Sequence, residues 1–121
     1  MGVSYEKRLA KKIPKAKHGL WFEFCDAYGR GFCSPDLVLE RTNAIIVIEA
    51  KLSNYPEAIA QLSGLYVPIL SRVYGKPVLP LVALKYLNPN SPLDRVFGTL
   101  REAINCKHEY PILHWIGRGP L

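Results

Sequence analysis

The chain has 121 residues, of which 49% are hydrophobic and 21% are charged. This composition is typical of one globular domain, 1–121, and argues against a disordered chain. Its longest apolar run is far shorter than the eighteen or so residues that a membrane span needs, so no membrane partner is expected. With no recognisable signal peptide, a cytoplasmic location is expected, and the three cysteines are expected to be free thiols.

Basic residues outnumber acidic ones and cluster near the start of the chain. Sixteen lysines and arginines against ten aspartates and glutamates give a net charge of +6. Such a cluster favours contacts with the phosphates of a nucleic acid through counterion release. A solvated helix face is an equally good interpretation of the cluster taken alone. The candidate phosphate-binding residues are Lys7, Arg8, Lys11, Lys12, Lys15 and Lys17, with Arg30 in a later turn near the same end.

Apolar periodicity and turn residues predict the elements in chain order. The predicted elements are a helix at 4–12, strands at 20–25, 32–40 and 44–51, a helix from Asn54 to Gly75 with a kink at Pro68, a strand at 77–87, a helix from Ser91 to Ile104 and a strand at 112–116. The helix that follows Asn54 is predicted to bury a stripe from Ile59 to Val73. This α-β-β-β-α-β-α-β order predicts an α/β fold with a mixed central β-sheet flanked by helices.

The strand 44–51 is the most apolar run in the chain, yet it ends in Glu49 and Lys51. A two-residue turn at 42–43, or a four-residue loop, pairs it with the preceding strand in an antiparallel register whose opposed residue numbers sum to 85. Asp36 then faces Glu49, with Cβ atoms roughly 4.5–5.5 Å apart. Alternation along the strand places Lys51 on the same face. The register therefore predicts three charged groups at one end of a hairpin.

Opposed carboxylates repel each other unless a cation lies between them. Mg²⁺ prefers oxygen ligands and is often held by one or two carboxylates together with water and substrate phosphate. Asp36, Glu49 and the carbonyl of Ala50 are therefore candidate Mg²⁺ ligands, and Mn²⁺ is expected to substitute. Lys51 is the candidate group to orient a water or to offset transition-state charge. The alternative is a solvated strand end with a surface ion pair.

The pattern Pro35-Asp36 followed by Glu49-Ala50-Lys51 resembles the PD-(D/E)xK nuclease superfamily, which includes restriction endonucleases and Holliday junction resolvases. The resemblance covers roughly residues 5–87 and implies a restriction-endonuclease-like core. It also implies that Asp36 and Glu49 bind Mg²⁺ and that Lys51 assists catalysis.

Many members of that superfamily carry a glutamate on the first helix and a glutamine or similar residue on the helix after the motif, and Glu6 and Gln61 stand at those positions. Glu6 lies four and seven residues before Ala10 and Ile13, so it is predicted to point inward. A first-turn acid that complements the helix dipole is the alternative for Glu6. Gln61 lies off the main apolar stripe, which permits either site contact or exposure.

These features together predict a magnesium-dependent endonuclease that acts on DNA, with RNA as a substrate that the sequence does not exclude. A single site cuts one strand, so a homodimer is expected where both strands are cut. The competing hypothesis is a basic nucleic-acid-binding module that has the same fold and no catalytic activity. A third is an unrelated α/β protein with an accidental charged strand end. A zinc site is disfavoured because the cysteines and histidines lack tight ligand spacing.

Overall fold

The computed structural model describes residues 2–121 and the side chains from Tyr5 onward. The helices are α1 (Gly2–Lys12), α2 (Tyr55–Gln61), α3 (Val67–Tyr74) and α4 (Leu100–Asn105), with a π-helical turn (Leu62–Tyr66) between α2 and α3 and a 3₁₀ turn at Leu93–Arg95. The strands are β1 (Lys17–His18), β2 (Phe22–Asp26), β3 (Gly29–Cys33), β4 (Leu37–Glu40), β5 (Ile45–Lys51), β6 (Val78–Leu84), β7 (Val96–Phe97) and β8 (Ile112–His114). Helix α1 thus begins two residues earlier than predicted.

Within the described chain, six strands form a central sheet in the order β1-β4-β5-β6-β8-β7. Strand β4 is antiparallel to both β1 and β5, whereas β5, β6, β8 and β7 pair in parallel. Strands β2 and β3 form a separate antiparallel hairpin. The prediction of an α/β fold with a mixed central sheet and flanking helices is confirmed.

Two hydrophobic cores lie on opposite faces of the central sheet, because side chains alternate along its strands. On one face, Leu9 of α1 and Ala103 of α4 pack with Ile48 of β5. On the other face, Leu62 of the π-helical turn packs with Val47 of β5. Helices on both faces explain why β5 reads as a continuous apolar run in the sequence.

The pairing of β4 with β5 has the predicted register. Val38 lies opposite Val47 and Glu40 lies opposite Ile45. The turn is the two-residue one, since the N–H of Arg41 donates to the carbonyl of Ala44 at 2.9 Å. The last pair of the ladder joins Leu37 to Ile48, so Asp36 lies one residue beyond it.

The predicted strand 32–40 is wrong as a single element. Its first residues belong to β3, which ends at Cys33, and its last residues form β4, which begins at Leu37. Pro35 lies between them and has no N–H for a strand ladder. The segment 34–36 therefore carries the chain from the β2–β3 hairpin into the central sheet.

The long helix after Asn54 is interrupted by a π-helical turn that ends two residues before Pro68. Gly75 ends α3 with a φ of 64°, as predicted. The predicted stripe is partly wrong because Val73 is 55% exposed. The wider π turn keeps residues four apart on one face, and the buried stripe is Ala58, Leu62, Tyr66 and Leu70.

The single helix predicted from Ser91 to Ile104 is also wrong. The 3₁₀ turn and strand β7 occupy its first half, and α4 begins only at Leu100. Thr99 caps α4, because its hydroxyl accepts a hydrogen bond from the N–H of Glu102 at 3.2 Å. The final strand is confirmed as β8, but it is shorter than predicted.

Two expectations concern the whole chain. Among residues 2–121, no helix combines the length and the apolar character that crossing a membrane requires. Cys25, Cys33 and Cys106 are all free thiols, and Cys33 is buried.

Candidate active site

Asp36 and Glu49 are in contact at the end of the β4–β5 ladder. The N–H of Asp36 donates to Glu49 Oε1 at 2.9 Å, and the N–H of Ala50 donates to Asp36 Oδ2 at 2.8 Å. In the register of the ladder, the backbone partner of Ala50 would be Pro35. The Asp36 carboxylate accepts the Ala50 hydrogen bond instead, so Asp36 and Glu49 meet through these two side-chain-to-backbone bonds rather than as a pair of the ladder.

Burial changes the proton affinity of both carboxyl groups. Glu49 is only 2% exposed, and burial raises its pKa although the Asp36 N–H and the Lys51 charge oppose the change. For Asp36, burial, a hydrogen bond with Glu6 and the charge of Glu49 together raise the pKa to about 9. Asp36 therefore holds a proton near neutral pH when no cation is bound.

Glu6 joins the cluster from α1. Ile13, which lies seven residues later on the same face and directly follows the helix, is buried in the core, and Glu6 itself is half-buried. It shares a hydrogen bond with Asp36, and its Oε2 lies 2.5 Å from Nε2 of His18. Burial tends to raise the pKa of Glu6, but the hydrogen bonds to Asp36 and His18 outweigh burial and hold that pKa below its usual value.

Lys51 lies beside the carboxylates, on the face that alternation predicts. Its charge lowers the pKa of both Glu49 and Glu6. Its Nζ donates to Glu57 Oε1 at 2.6 Å, and the other Glu57 oxygen accepts from Asn54 Nδ2 at 3.2 Å. The first turn of α2 thus positions the ammonium group of Lys51.

Gln61 follows Glu57 by one turn on the same face of α2. Its Oε1 is buried, and within the part of the chain that the structure describes it has no hydrogen-bond partner. An unpartnered buried acceptor is costly. It marks this side of the helix as a place where a water or substrate donor would be stabilising.

Tyr66 connects the π-helical turn to the strand break. Its hydroxyl donates to the carbonyl of Ser34 at 3.3 Å. Burial raises the pKa of Tyr66, and the nearby charges of Glu49 and Asp36 raise it further. The ring therefore lies close to the acidic cluster and helps to fix the loop that carries Asp36.

His18, Glu57 and Tyr66 were not predicted as site residues. The only local signal for Glu57 is its position three residues after Asn54, which indicates a helix start. His18 reaches the site because β1 pairs with β4, with His18 opposite Leu37. Neither that short pairing nor the π-helical turn leaves a periodicity in the sequence.

The predicted phosphate-binding residues of α1, the following loop and β1 are exposed; they are Lys7, Arg8, Lys11, Lys12, Lys15 and Lys17. Lys17 lies 3.9 Å from Glu40, at the end of β4 away from Asp36. Glu40 also pairs with Lys76 at 3.5 Å. Arg30 lies in β3 rather than in a turn, and its guanidinium pairs with Glu23.

The oxygen donors at the site fit a hard cation, although not as a complete set of side-chain ligands. Among residues 2–121, no group of three or more His, Cys, Asp and Glu side chains is arranged to hold a metal ion. Mg²⁺ needs only one or two carboxylates when waters complete its shell, and Asp36 and Glu49 supply them. The Ala50 carbonyl is expected on the same edge of β5 as its N–H, towards Asp36. Burial, the hydrogen bond with Glu6 and the charge of Glu49 raise the pKa of Asp36, and a bound cation would oppose the effect of these neighbouring carboxylates.

Comparison of the chain with protein-family models, with curated proteins and with solved structures found no match. The function is therefore inferred from the geometry and charge of the site.

Proposed function

We propose that the chain is a Mg²⁺-dependent nuclease that cuts phosphodiester bonds within DNA. The observation that carries this proposal is the convergence of Asp36, Glu49 and Glu6 with the ammonium group of Lys51 at one strand end. Carboxylates that share a proton and lie beside a lysine form a site suited to a divalent cation and a phosphate.

In this proposal, Asp36 and Glu49 hold Mg²⁺ with the Ala50 carbonyl. When bound, the ion supplies Lewis-acid activation of the phosphate and lowers the pKa of a bound water. Lys51 faces the same space and stabilises the additional negative charge that develops on the phosphate oxygens. Glu57 and Asn54 hold Lys51 in place, and Glu6 with His18 orients Asp36.

A restriction-endonuclease-like core is the fold proposed for this site. The supporting features are a first helix that supplies Glu6, the antiparallel pair β4–β5, and the helical segment that leads into the parallel strand β6. Both carboxylates lie where the antiparallel ladder of β5 with β4 ends, while the parallel ladder of β5 with β6 continues to Lys51. The exposed lysines of α1 would contact the phosphates of the bound nucleic acid.

A second candidate function is a nucleic-acid-binding module without catalytic activity. One observation favours it: the Lys51 ammonium and both carboxylates already have protein hydrogen-bond partners. Such a site would stabilise the strand break without performing chemistry.

Cleavage of supercoiled, linear and branched DNA in Mg²⁺, Mn²⁺ or chelator separates the two candidates. We expect cutting that requires metal and falls at least 100-fold in Asp36→Asn and in Lys51→Met, while DNA binding in chelator is largely kept. Glu40→Gln and Lys76→Met are the matched controls, because they make the same carboxylate-to-amide and lysine-to-methionine changes in an ion pair at the other end of β4.

Metal-dependent cutting that survives Asp36→Asn would contradict the proposal. Binding without cutting in either metal would select the non-catalytic module. Failure of the wild-type protein both to bind and to cut DNA would leave the charged strand end without a role in nucleic-acid chemistry.

A further inference from the structure

The β2–β3 hairpin presents three aromatic side chains to solvent. Trp21 is 71% exposed, Phe32 is 62% exposed, and Tyr28, in the two-residue turn at the tip, is 98% exposed. Exposed rings at this density are unusual for a surface that contacts only water.

The hairpin is anchored by its inner face, which leaves the outer face free. Phe22 and Phe24 alternate inward and pack against the core that contains the buried Cys33. The Phe24 ring also covers Gly31 of the opposite strand, where an added Cβ would clash with the ring. Glu23 lies opposite Phe32 on the outer face. Trp21 directly precedes β2, and extending the register by one residue makes it a diagonal neighbour of Phe32.

Both ends of the hairpin run directly into the candidate active site. His18, the partner of Glu6, precedes the hairpin, and Asp36 follows it. The Ser34 hydroxyl closes the base of the hairpin by donating to the carbonyl of Leu20 at 2.6 Å. Five-residue strands extend roughly 17 Å, so the exposed rings lie within about five nucleotide steps of the acidic cluster.

We propose that the outer face of this hairpin binds unpaired nucleobases by stacking, so that the substrate class is DNA with a single-stranded or distorted segment beside the cut. This inference rests on the proposed function, since it assigns the substrate of the same site. Stacking on aromatic rings accepts any base, and diagonal residues on a hairpin lie about 7–8 Å apart, which leaves room for one base between two rings.

The charge of the hairpin supports contact with bases rather than with phosphates. Its charged residues are Glu23, Asp26 and Arg30, and Arg30 is paired with Glu23. A net negative hairpin adds nothing to phosphate attraction, which the lysines of α1 supply. The aromatic rings and the basic helix thus supply different parts of the recognition of one strand.

Binding measured in chelator tests the inference without any cleavage. The probes are a labelled 20-nucleotide thymidine strand, the same strand with abasic sites in its central ten positions, and a blunt 20-base-pair duplex. We expect the wild-type protein to bind the thymidine strand at least 10-fold more tightly than the abasic strand, which has the same phosphates, and more tightly than the duplex.

Ring removal provides the second arm. Trp21→Ala and Phe32→Ala should each weaken thymidine-strand binding about 5- to 150-fold and leave abasic-strand binding unchanged, whereas Trp21→Phe should retain most of the affinity. Val73→Ala, an exposed apolar truncation on α3, is the matched control. The fluorescence of the exposed Trp21 should be quenched by the thymidine strand, and Trp21→Phe should remove that quenching, because Trp115 is buried.

Equal affinity for the thymidine, abasic and duplex probes would overturn the inference, as would alanine variants that bind like the wild type. Sedimentation that shows the alanine variants losing self-association instead of base binding would assign the face to a second copy of the chain and would also overturn it. Base-dependent binding without metal-dependent cutting would refute the nuclease and retain the hairpin's role. Metal-dependent cutting without a preference for strands that carry bases would retain the nuclease and refute the hairpin's role.

Discussion

At the scale of single residues, the acidic cluster places three carboxyl groups around one lysine. Glu6 contacts the Asp36 carboxyl group, and Glu49 accepts a hydrogen bond from the Asp36 backbone N–H. Burial, Glu6 and Glu49 raise the pKa of Asp36 to about 9, so Asp36 keeps a proton at neutral pH. A proton is the smallest cation that relieves such repulsion. The same positions that share it are those where a divalent ion would be most stabilising.

The raised pKa of Asp36 predicts the pH dependence of stability in chelator. The carboxyl has its ordinary pKa of 3.8 when unfolded and about 9 when folded, so only the folded state holds the proton between these values. Stability must therefore fall as pH rises through that window. Glu49 acts in the same direction and Glu6 in the opposite one.

Thermal unfolding in chelator measures this effect. Between pH 5 and pH 8.5 we expect Tm to fall by at least about 4 °C, which is on the order of 1 kcal/mol for a domain of this size. Asp36→Asn should make the profile clearly flatter, whereas the same isosteric change at the exposed Glu109 should not. A wild-type Tm that rises across this range would show that Asp36 is ionised in the folded protein.

The hydroxyl of Tyr66 provides a second prediction at this scale. Tyr66→Phe removes the hydrogen bond to the Ser34 carbonyl and should cost about 1 kcal/mol in urea unfolding. Because that bond fixes the loop before Asp36, metal-dependent cutting should also fall. Tyr55→Phe removes a comparable bond to the Asn90 carbonyl and should leave cutting unchanged; equal loss of cutting in both variants would deny Tyr66 a special role.

At the scale of elements, alanine substitutions at two glycines are expected to change the stability of the protein in opposite directions. Gly31→Ala forces a methyl group against the Phe24 ring and should destabilise the protein by about 1–3 kcal/mol. Gly64, in the π-helical turn, has open space around it, so Gly64→Ala should stabilise by about 0.5–1 kcal/mol. Urea unfolding gives the free energy of unfolding of both variants. An unchanged value for Gly31→Ala would mean that the hairpin is not packed as described.

The parts of the fold and site that the sequence predicts are those governed by strong local rules. The turn at 42–43 sets the register of β4 with β5, and that register is what brings Asp36 to Glu49 and Lys51. Alternation and turn chemistry are sufficient to predict that these three residues lie together. The register is strongly specified, because a shift of one residue would turn every side chain of the strand to the other face of the sheet.

The parts that were missed depend on tertiary contacts. The strand 32–40 divides at Pro35 because the hairpin packs apart from the central sheet. The π-helical turn changes the buried stripe, so Val73 is exposed. His18 reaches Glu6 only through a two-residue strand, which is too short to leave a hydrophobic period.

At the scale of the whole molecule, α1 carries four basic residues and one glutamate, which is half of the chain's net charge of +6. Lys7 and Lys11 are exposed and lie one turn apart on α1. Replacing both with glutamine should reduce the slope of log affinity against log salt by about 2 for duplex DNA. Anisotropy titrations over a range of salt measure this slope.

The matched control for the helix is Arg101→Gln with Lys107→Gln, which removes two exposed charges near α4. That pair should change the slope by much less. Equal slopes for the two double variants would mean that the salt dependence of DNA binding follows the total charge of the protein and not the position of the lysines on α1.

The two strands of the hairpin divide its residues into two sets with separate constraints. Inward positions such as Phe24 and Cys33 are fixed by the core, and the base is closed by Ser34 and Leu20. The outward side chains Trp21 and Phe32 are exposed and do not pack against that core, so substitutions there should not move Asp36. If the proposed nuclease function holds, substrate preference could diverge at every second residue of one hairpin without any change in the residues proposed to cut the strand.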